Sequence, residues 1–336
     1  MTNPVLVEAV RGPLVESQYR GAVAAVDADG AMLLALGDAG QPIFPRSAVK
    51  ALQALPMVES GAADRFGFGD EELALACASH GGEPGHVAVV ERMLAKLGLD
   101  AAALECGAHW PIHQRSSQAL ARAGRMPSAL HNNCSGKHAG FLCLACCIGV
   151  GHRGYVDAAH AVQREVKRTL EDIIGVGLAA ESCATDGCSI PTWAVPLKDL
   201  ARGFARFGTG SGPAPARARA AARLREACAA KPYCVAGTGR FCTEIMEHFG
   251  QRIFVKTGAE GVFVAALPQL GVGIAIKCDD GSARAAEVMM AATLVRLAPL
   301  DEGERAALGR FMRPTLRNWN GIEVGMLRPT EALLAR

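Results

Sequence analysis

The strongest constraint in this sequence is where its strand-like segments lie. They sit at the two ends of the chain, and the long middle has helical spacing. Near the N-terminus, residues 5–10 are rich in Val and Leu. Residues 21–26 and 32–36 flank Asp27-Ala28-Asp29-Gly30 and read as a hairpin. Short β-branched runs return at 252–256, 261–266 and 271–277, separated by Gly, Pro and Asp turns, and 321–327 reads as a last strand. Between them, helical periodicity recurs at 71–77, 87–97, 138–148, 155–174, 197–207, 215–230 and 241–249, and a closing helix covers 282–297. The economical solution is an α+β fold. One antiparallel sheet, built from both termini and flanked by helices, carries a largely helical inserted lobe. The expected sheet subdomain is about 1–44 and 251–336 and the helical lobe about 45–250, in a single unit with a cleft between them. The Gly/Ser-rich stretch 208–216 reads as a mobile loop.

Composition narrows the function. The 336 residues are 50% hydrophobic and 20% charged, enough for a sizeable core and far from disorder. A net charge of +2 with no long run of one sign argues against a general grip on nucleic acid or an anionic membrane. The longest uncharged apolar stretch, about 139–151, is short of the ~18 residues of a spanning helix. No basic leader precedes Glu8, so a soluble cytoplasmic protein is expected. The 12 cysteines do not form a disulfide framework of the kind small secreted chains need. Only eight lysines stand among 27 arginines, so a lysine beside Ser, Cys or Gly stands out.

Three such lysines sit in motifs. In Ser47-Ala48-Val49-Lys50 the hydroxyl and amine are three apart, on one face of a helix. A serine attacks only when a base removes its proton, and a lysine is that base only when its pKa is lowered. Lys256-Thr257-Gly258 ends a late strand; S-x-x-K followed by K-T-G is the order found in penicillin-binding proteins and serine β-lactamases. Their middle S-x-N element is missing, with Ser135-Gly136-Lys137 the nearest string, which argues against a β-lactamase proper. Ser79-His80-Gly81-Gly82 closes a helical stretch and offers a hydroxyl and backbone N–H groups. His131-Asn132-Asn133-Cys134-Ser135-Gly136-Lys137-His138 and Thr185-Asp186-Gly187-Cys188-Ser189 each carry a Gly-flanked cysteine; Cys134 and Cys188 together suit zinc. Cys143, Cys146 and Cys147 read as helix packing, and Pro111 argues against a helical metal pair at His109 and His113.

Longer strings carry a resemblance. They are Val15-Glu16-Ser17 with Arg20-Gly21, Pro45 to Lys50 (PRSAVK), Ala76-Cys77-Ala78-Ser79-His80, and Glu105-Cys106-Gly107. Residues 132–140 (NNCSGKHAG), 185–191 (TDGCSIP) and 255–261 (VKTGAEG) follow, then Arg317-Asn318-Trp319-Asn320-Gly321. Through nearly its whole length the chain resembles the class 3 L-asparaginases, the rhizobial-type asparaginase II family. That resemblance implies a fold like the serine β-lactamases and one glutaminase family. It implies hydrolysis of L-asparagine to L-aspartate and ammonia through two Ser–Lys tandems, Ser47 with Lys50 and Ser79 with Lys256. It implies a zinc site of Cys134, Lys137 and Cys188, a pocket lined by Arg46, His138, Asp186 and Cys242, and a homodimer. Ser47 is favoured as nucleophile because its lysine is held by the same helix, and Ser79 is the other candidate. A glutaminase of the same fold and a catalytically inactive zinc-binding relative remain as alternatives.

Overall fold

The computed structural model describes residues 2–335. The N-terminal segment supplies β1 (Val5–Arg11), β2 (Leu14–Asp27) and β3 (Met32–Leu36). In the middle, β4 (Pro42–Ile43) pairs with β7 (Val195–Pro196), and β5 (Cys183–Thr185) with β6 (Pro191–Trp193). The C-terminal segment adds β8 (Phe254–Thr257), β9 (Val262–Leu267), β10 (Val272–Cys278), β11 (Thr315–Arg317) and β12 (Glu323–Pro329). The main sheet runs β11-β12-β1-β2-β10-β9-β8, with β3 also on β2, and every pairing is antiparallel. Both ends of the chain are therefore hydrogen-bonded into one sheet, as the strand placement predicts. Val7 faces Pro329 between β1 and β12, and Asp27 faces Val272 between β2 and β10. The hairpin into β3 turns where the Asp27 carboxylate accepts from the backbone N–H of Asp29, Gly30 and Ala31 at 2.8–3.0 Å.

Helices cover both faces. A Cβ on Gly273 of β10 would stand 2.0 Å from the Ala201 carbonyl oxygen, so its absence lets the helix Leu197–Thr209 lie against the sheet. Gly21, opposite Cys278, would place a Cβ 3.2 Å from Met289 of the helix Ala283–Leu297. Residues 273 and 278 are five apart in one strand, so the two helices occupy opposite faces. Leu197–Thr209 thus belongs to the sheet's packing although it comes from the middle of the chain.

Several local expectations change. The helix expected at 155–174 is Ala161–Ile174, with His160 as its N-cap accepting from Val162 N–H. Tyr155 is withdrawn from it because its ring is fully buried and its hydroxyl is hydrogen-bonded to His138 and Glu105. The helix Leu197–Thr209 absorbs Gly208 and Thr209 from the expected loop, and the next helix starts at Pro215. The helix Gln114–Arg122 has no sequence counterpart because it buries only Leu120 and lacks an apolar stripe. Cys143 is buried as packing requires, whereas Cys146 and Cys147 are half-buried near the end of the helix Ser135–Ile148. Among the described residues, no helix is long and apolar enough to cross a membrane.

Candidate active site

The Ser47 motif lies on a tight turn. Residues Arg46–Val49 form a single 3-10 turn that runs directly into the short α-helix Lys50–Gln53. Arg46, just before the serine, has φ of 52°, a left-handed conformation that a side chain tolerates only when its surroundings hold it there. The turn is pressed against the end of β8. A Cβ on Gly258 would stand 2.7 Å from the Pro45 carbonyl oxygen and 3.2 Å from Ala48 Cβ, so the glycine of Lys256-Thr257-Gly258 admits the Ser47 turn.

Asn133 joins Lys50 to Ser79. Lys50 is fully buried, and its Nζ donates to the Asn133 carbonyl oxygen at 3.2 Å. Asn133 Nδ2 in turn donates to Ser79 Oγ at 3.4 Å. Ser79 is itself buried, its N–H bound to the Val235 carbonyl at 3.0 Å. Lys256 is 1% exposed and donates to the Thr257 carbonyl at 2.8 Å. Burial and then the charge of Lys50 lower its pKa to about 7. Cys242 adjoins Lys256; burial raises its thiol pKa, and the Lys256 charge only partly offsets that.

The loop after Ser79 is held by a neutral imidazole. His80 Nδ1 accepts from Gly82 N–H at 3.1 Å, which leaves its Nε2–H to donate to Ser135 Oγ at 3.0 Å. Full burial, then the charges of His86 and Lys50, keep its pKa well below the ordinary value. His109, which the sequence offers as half of a metal pair, instead accepts from Asn133 N–H at 2.9 Å and props the same segment. His113 turns away to Ser116 Oγ at 2.8 Å.

The cysteine motifs do converge. Lys137 Nζ lies 3.0 Å from Cys188 Sγ, and Asp186 Oδ2 is 3.7 Å from the same sulfur. The Cys188 thiol hydrogen-bonds to Cys134 and holds Cys134 well below the ordinary thiol range, against the opposing effect of burial. Burial works against the Lys137 charge, yet the two sulfurs and Asp186 outweigh it and raise its pKa. Asp186 is ion-paired with Arg46. Burial would raise its pKa, but Lys137 and Arg46 hold it below the usual carboxylate range. Among the described residues, no group of three or more His, Cys, Asp or Glu side chains is placed to hold a metal. Two sulfurs and an amine in contact nevertheless form a donor set that suits zinc, provided that Lys137 releases its proton.

His138 packs behind this cluster, fully buried, with Nδ1 2.7 Å from the Tyr155 hydroxyl and Nε2 without a partner among the described residues. The structure thus joins Lys50 to Ser79, sets Lys256 beside Lys50 and Cys242, and gathers Arg46, Asp186, Lys137, Cys134 and Cys188 into one charged cluster. Asn133, His80 and His109 lie in strings that the sequence analysis quotes without these roles, and Tyr155 lies outside every quoted motif. The doubled asparagine ahead of Cys134 was the available signal for the first of them.

No curated protein matches the chain. Among solved structures, a β-lactamase from Mycobacterium bovis is 16% identical over 78% of this chain and 88% of its own, with a TM-score of 0.34. Mglu in its native form is 18% identical over 91% of this chain and 66% of its own, with a TM-score of 0.40. Simvastatin synthase from Aspergillus terreus is 9% identical over 77% and 86%, with a TM-score of 0.39. Likenesses this low transfer nothing to the site. The profile of the L-asparaginase II family matches residues 7–329, and the chain therefore belongs to that family of amidohydrolases.

Proposed function

We propose that this chain hydrolyses the side-chain amide of L-asparagine, giving L-aspartate and ammonia through a serine acyl-enzyme. The observation that carries the reading is the Asn133 bridge, which ties the Lys50 amine to the Ser79 hydroxyl beside a second buried lysine, Lys256. In this reading the two buried lysines hold one proton between them above pH ~7; when it rests on Lys256, Ser47 Oγ attacks the amide carbon and its proton passes to the neutral Lys50 amine. The same proton is handed to the amide nitrogen, the C–N bond breaks, and ammonia leaves a β-aspartyl ester on Ser47. Water then attacks the ester, its proton returns to Ser47 Oγ by way of Lys50, and aspartate departs. Ser79 and Lys256 are assigned in the same reading as the second tandem, which would hold the carbonyl and the attacking water. Lys256 is largely unprotonated above pH ~7, so the pocket does not carry two full ammonium charges there. Arg46, His138, Asp186 and Cys242 are the proposed pocket lining. Zinc, when bound, would be held by Cys134, Lys137 and Cys188 and would serve to shape the pocket wall.

The test is ammonia release from a panel of amides, with Ser47→Ala and Ser79→Ala alongside the unaltered protein. Asparagine should be the preferred substrate, and Ser47→Ala should lose at least about a thousandfold in turnover, because nucleophile and base act as a unit. Preference for glutamine would make the chain a glutaminase. Retention of activity within about tenfold by Ser47→Ala would move the nucleophile to Ser79.

A further inference from the structure

The helical lobe contains a groove that the proposed chemistry does not use. It has a volume of about 550 Å³ and lies between the helices Pro84–Lys96 and Gln114–Arg122, closed at one end by Pro111 and His131. That size falls in the range of small-molecule sites. Val87, Ala119 and Leu120 contribute an apolar floor, and Arg115 and Arg125 stand at the rim. Elsewhere on the same helix pair, Arg92 is tied to Glu71 and Glu72. Neither rim arginine has a side-chain partner among the described residues, and Glu91 is the single acid lining the groove.

His131 adds a directed donor. It is 8% exposed, and its Nδ1 accepts from the Ser128 N–H at 3.1 Å. Burial keeps the imidazole pKa below its ordinary value, so the ring is neutral and its one proton sits on Nε2. Nε2 has no protein partner among the described residues, and the side chain lines the groove. A largely buried imidazole whose N–H has no partner among the described residues, beside two unpaired guanidiniums over an apolar floor, matches one kind of ligand. We propose that this groove binds an organic anion with an apolar ring or chain. Its acid group lies between Arg115, Arg125 and His131 Nε2–H.

The groove shares a wall with the candidate active site. Gly82 lines it, three residues after Ser79, and a Cβ there would stand 2.7 Å from the His131 carbonyl oxygen and 3.1 Å from Pro111 Cα. His131 is two residues before Asn133. An occupant therefore touches both segments that hold Ser79 and Lys50 in place, which makes the groove an effector site.

Anilinonaphthalene sulfonate is a suitable probe, because it joins aromatic rings to one fixed negative charge and its fluorescence reports burial. The folded protein should bind it saturably, one per chain. The double variant Arg115→Gln/Arg125→Gln should weaken binding at least about tenfold, since charge-assisted hydrogen bonds are lost. Ala119→Trp, which fills the groove, should abolish it. Phenylnaphthylamine, with the rings but no charge, should bind at least about tenfold more weakly than the sulfonate. Absence of saturable binding, equal binding by the double variant, or equal binding of the uncharged probe would overturn the proposal. The two arginines are at the rim, and near-UV circular dichroism would report whether each variant is folded. If Ala119→Trp does not fold, the double variant and the uncharged probe decide the outcome. The readout is binding, so failure of the asparaginase reading would leave this result intact. Asparagine turnover measured with and without the sulfonate then reads the coupling, and identical rates at saturation would overturn the effector role.

Discussion

At Lys256 a four-carbon stem carries an amine into a pocket where burial and the charge of Lys50 lower its pKa from 10.5 to about 7. The folded state therefore binds fewer protons there than the unfolded chain at any pH between these values. Stability lost through this residue is fully lost below pH ~7 and recovered above ~10.5. Lys256→Met keeps most of the stem and removes the amine. It should raise stability by a few kcal/mol at pH 6 and by almost nothing at pH 10.5, read from denaturant unfolding at both values. Its activity should fall at least about a hundredfold. An equal stability change at both pH values would show that Lys256 is not held neutral. Asn133 is the second residue to test. Asn133→Ala keeps the carbonyl that Lys50 uses but removes the amide that reaches Ser79 Oγ. Turnover should fall about tenfold or more while Tm moves by only a few degrees. If turnover is unchanged, the Asn133–Ser79 contact has no part in catalysis.

Among the elements, β8 and the turn Arg46–Val49 must meet closely for the two proposed tandems to share a pocket. Gly258 permits this, because any side chain there would press on the Pro45 carbonyl at 2.7 Å. Gly258→Ala should separate the turn from the strand by a few tenths of an ångström. The expected cost is about 1–3 kcal/mol of stability and a larger loss in kcat than in KM, since positioning rather than binding is disturbed. Steady-state kinetics with far-UV circular dichroism would test this, and unchanged kcat would mean that the strand end is not part of the catalytic geometry.

For the whole molecule, the proposed zinc ties distant segments together, because Cys134 and Cys188 are brought together only by folding. Purified protein should carry one zinc per chain, and Cys188→Ser should carry none and melt several degrees lower. Elemental analysis and thermal unfolding provide both readouts; wild-type zinc in Cys188→Ser would remove that residue from the donor set. The homodimer implied by the family resemblance predicts sedimentation at twice the chain mass of 35.0 kDa. A single species at the chain mass would replace it with a monomer.

The sequence by itself determined the local vocabulary of this protein. Short Val/Leu-rich and β-branched runs at both ends marked strands of one sheet, helical spacing marked most of the middle, and S-x-x-K, K-T-G and the two Gly-flanked cysteines marked the candidate site residues. These features were readable because they depend on spacing within a few residues. The largely polar helix Gln114–Arg122 and the uncoiled segment at Tyr155 were not, since one buries a single residue and the other is set by hydrogen bonds to His138 and Glu105. Tertiary structure alone decided that Asn133 bridges Lys50 and Ser79 across 83 and 54 residues of chain. It also decided that Lys256 loses its water and most of its basicity. The reason is physical: a side chain's pKa and hydrogen-bond partners depend on what distant parts of the chain exclude or bring near, and no local pattern encodes that.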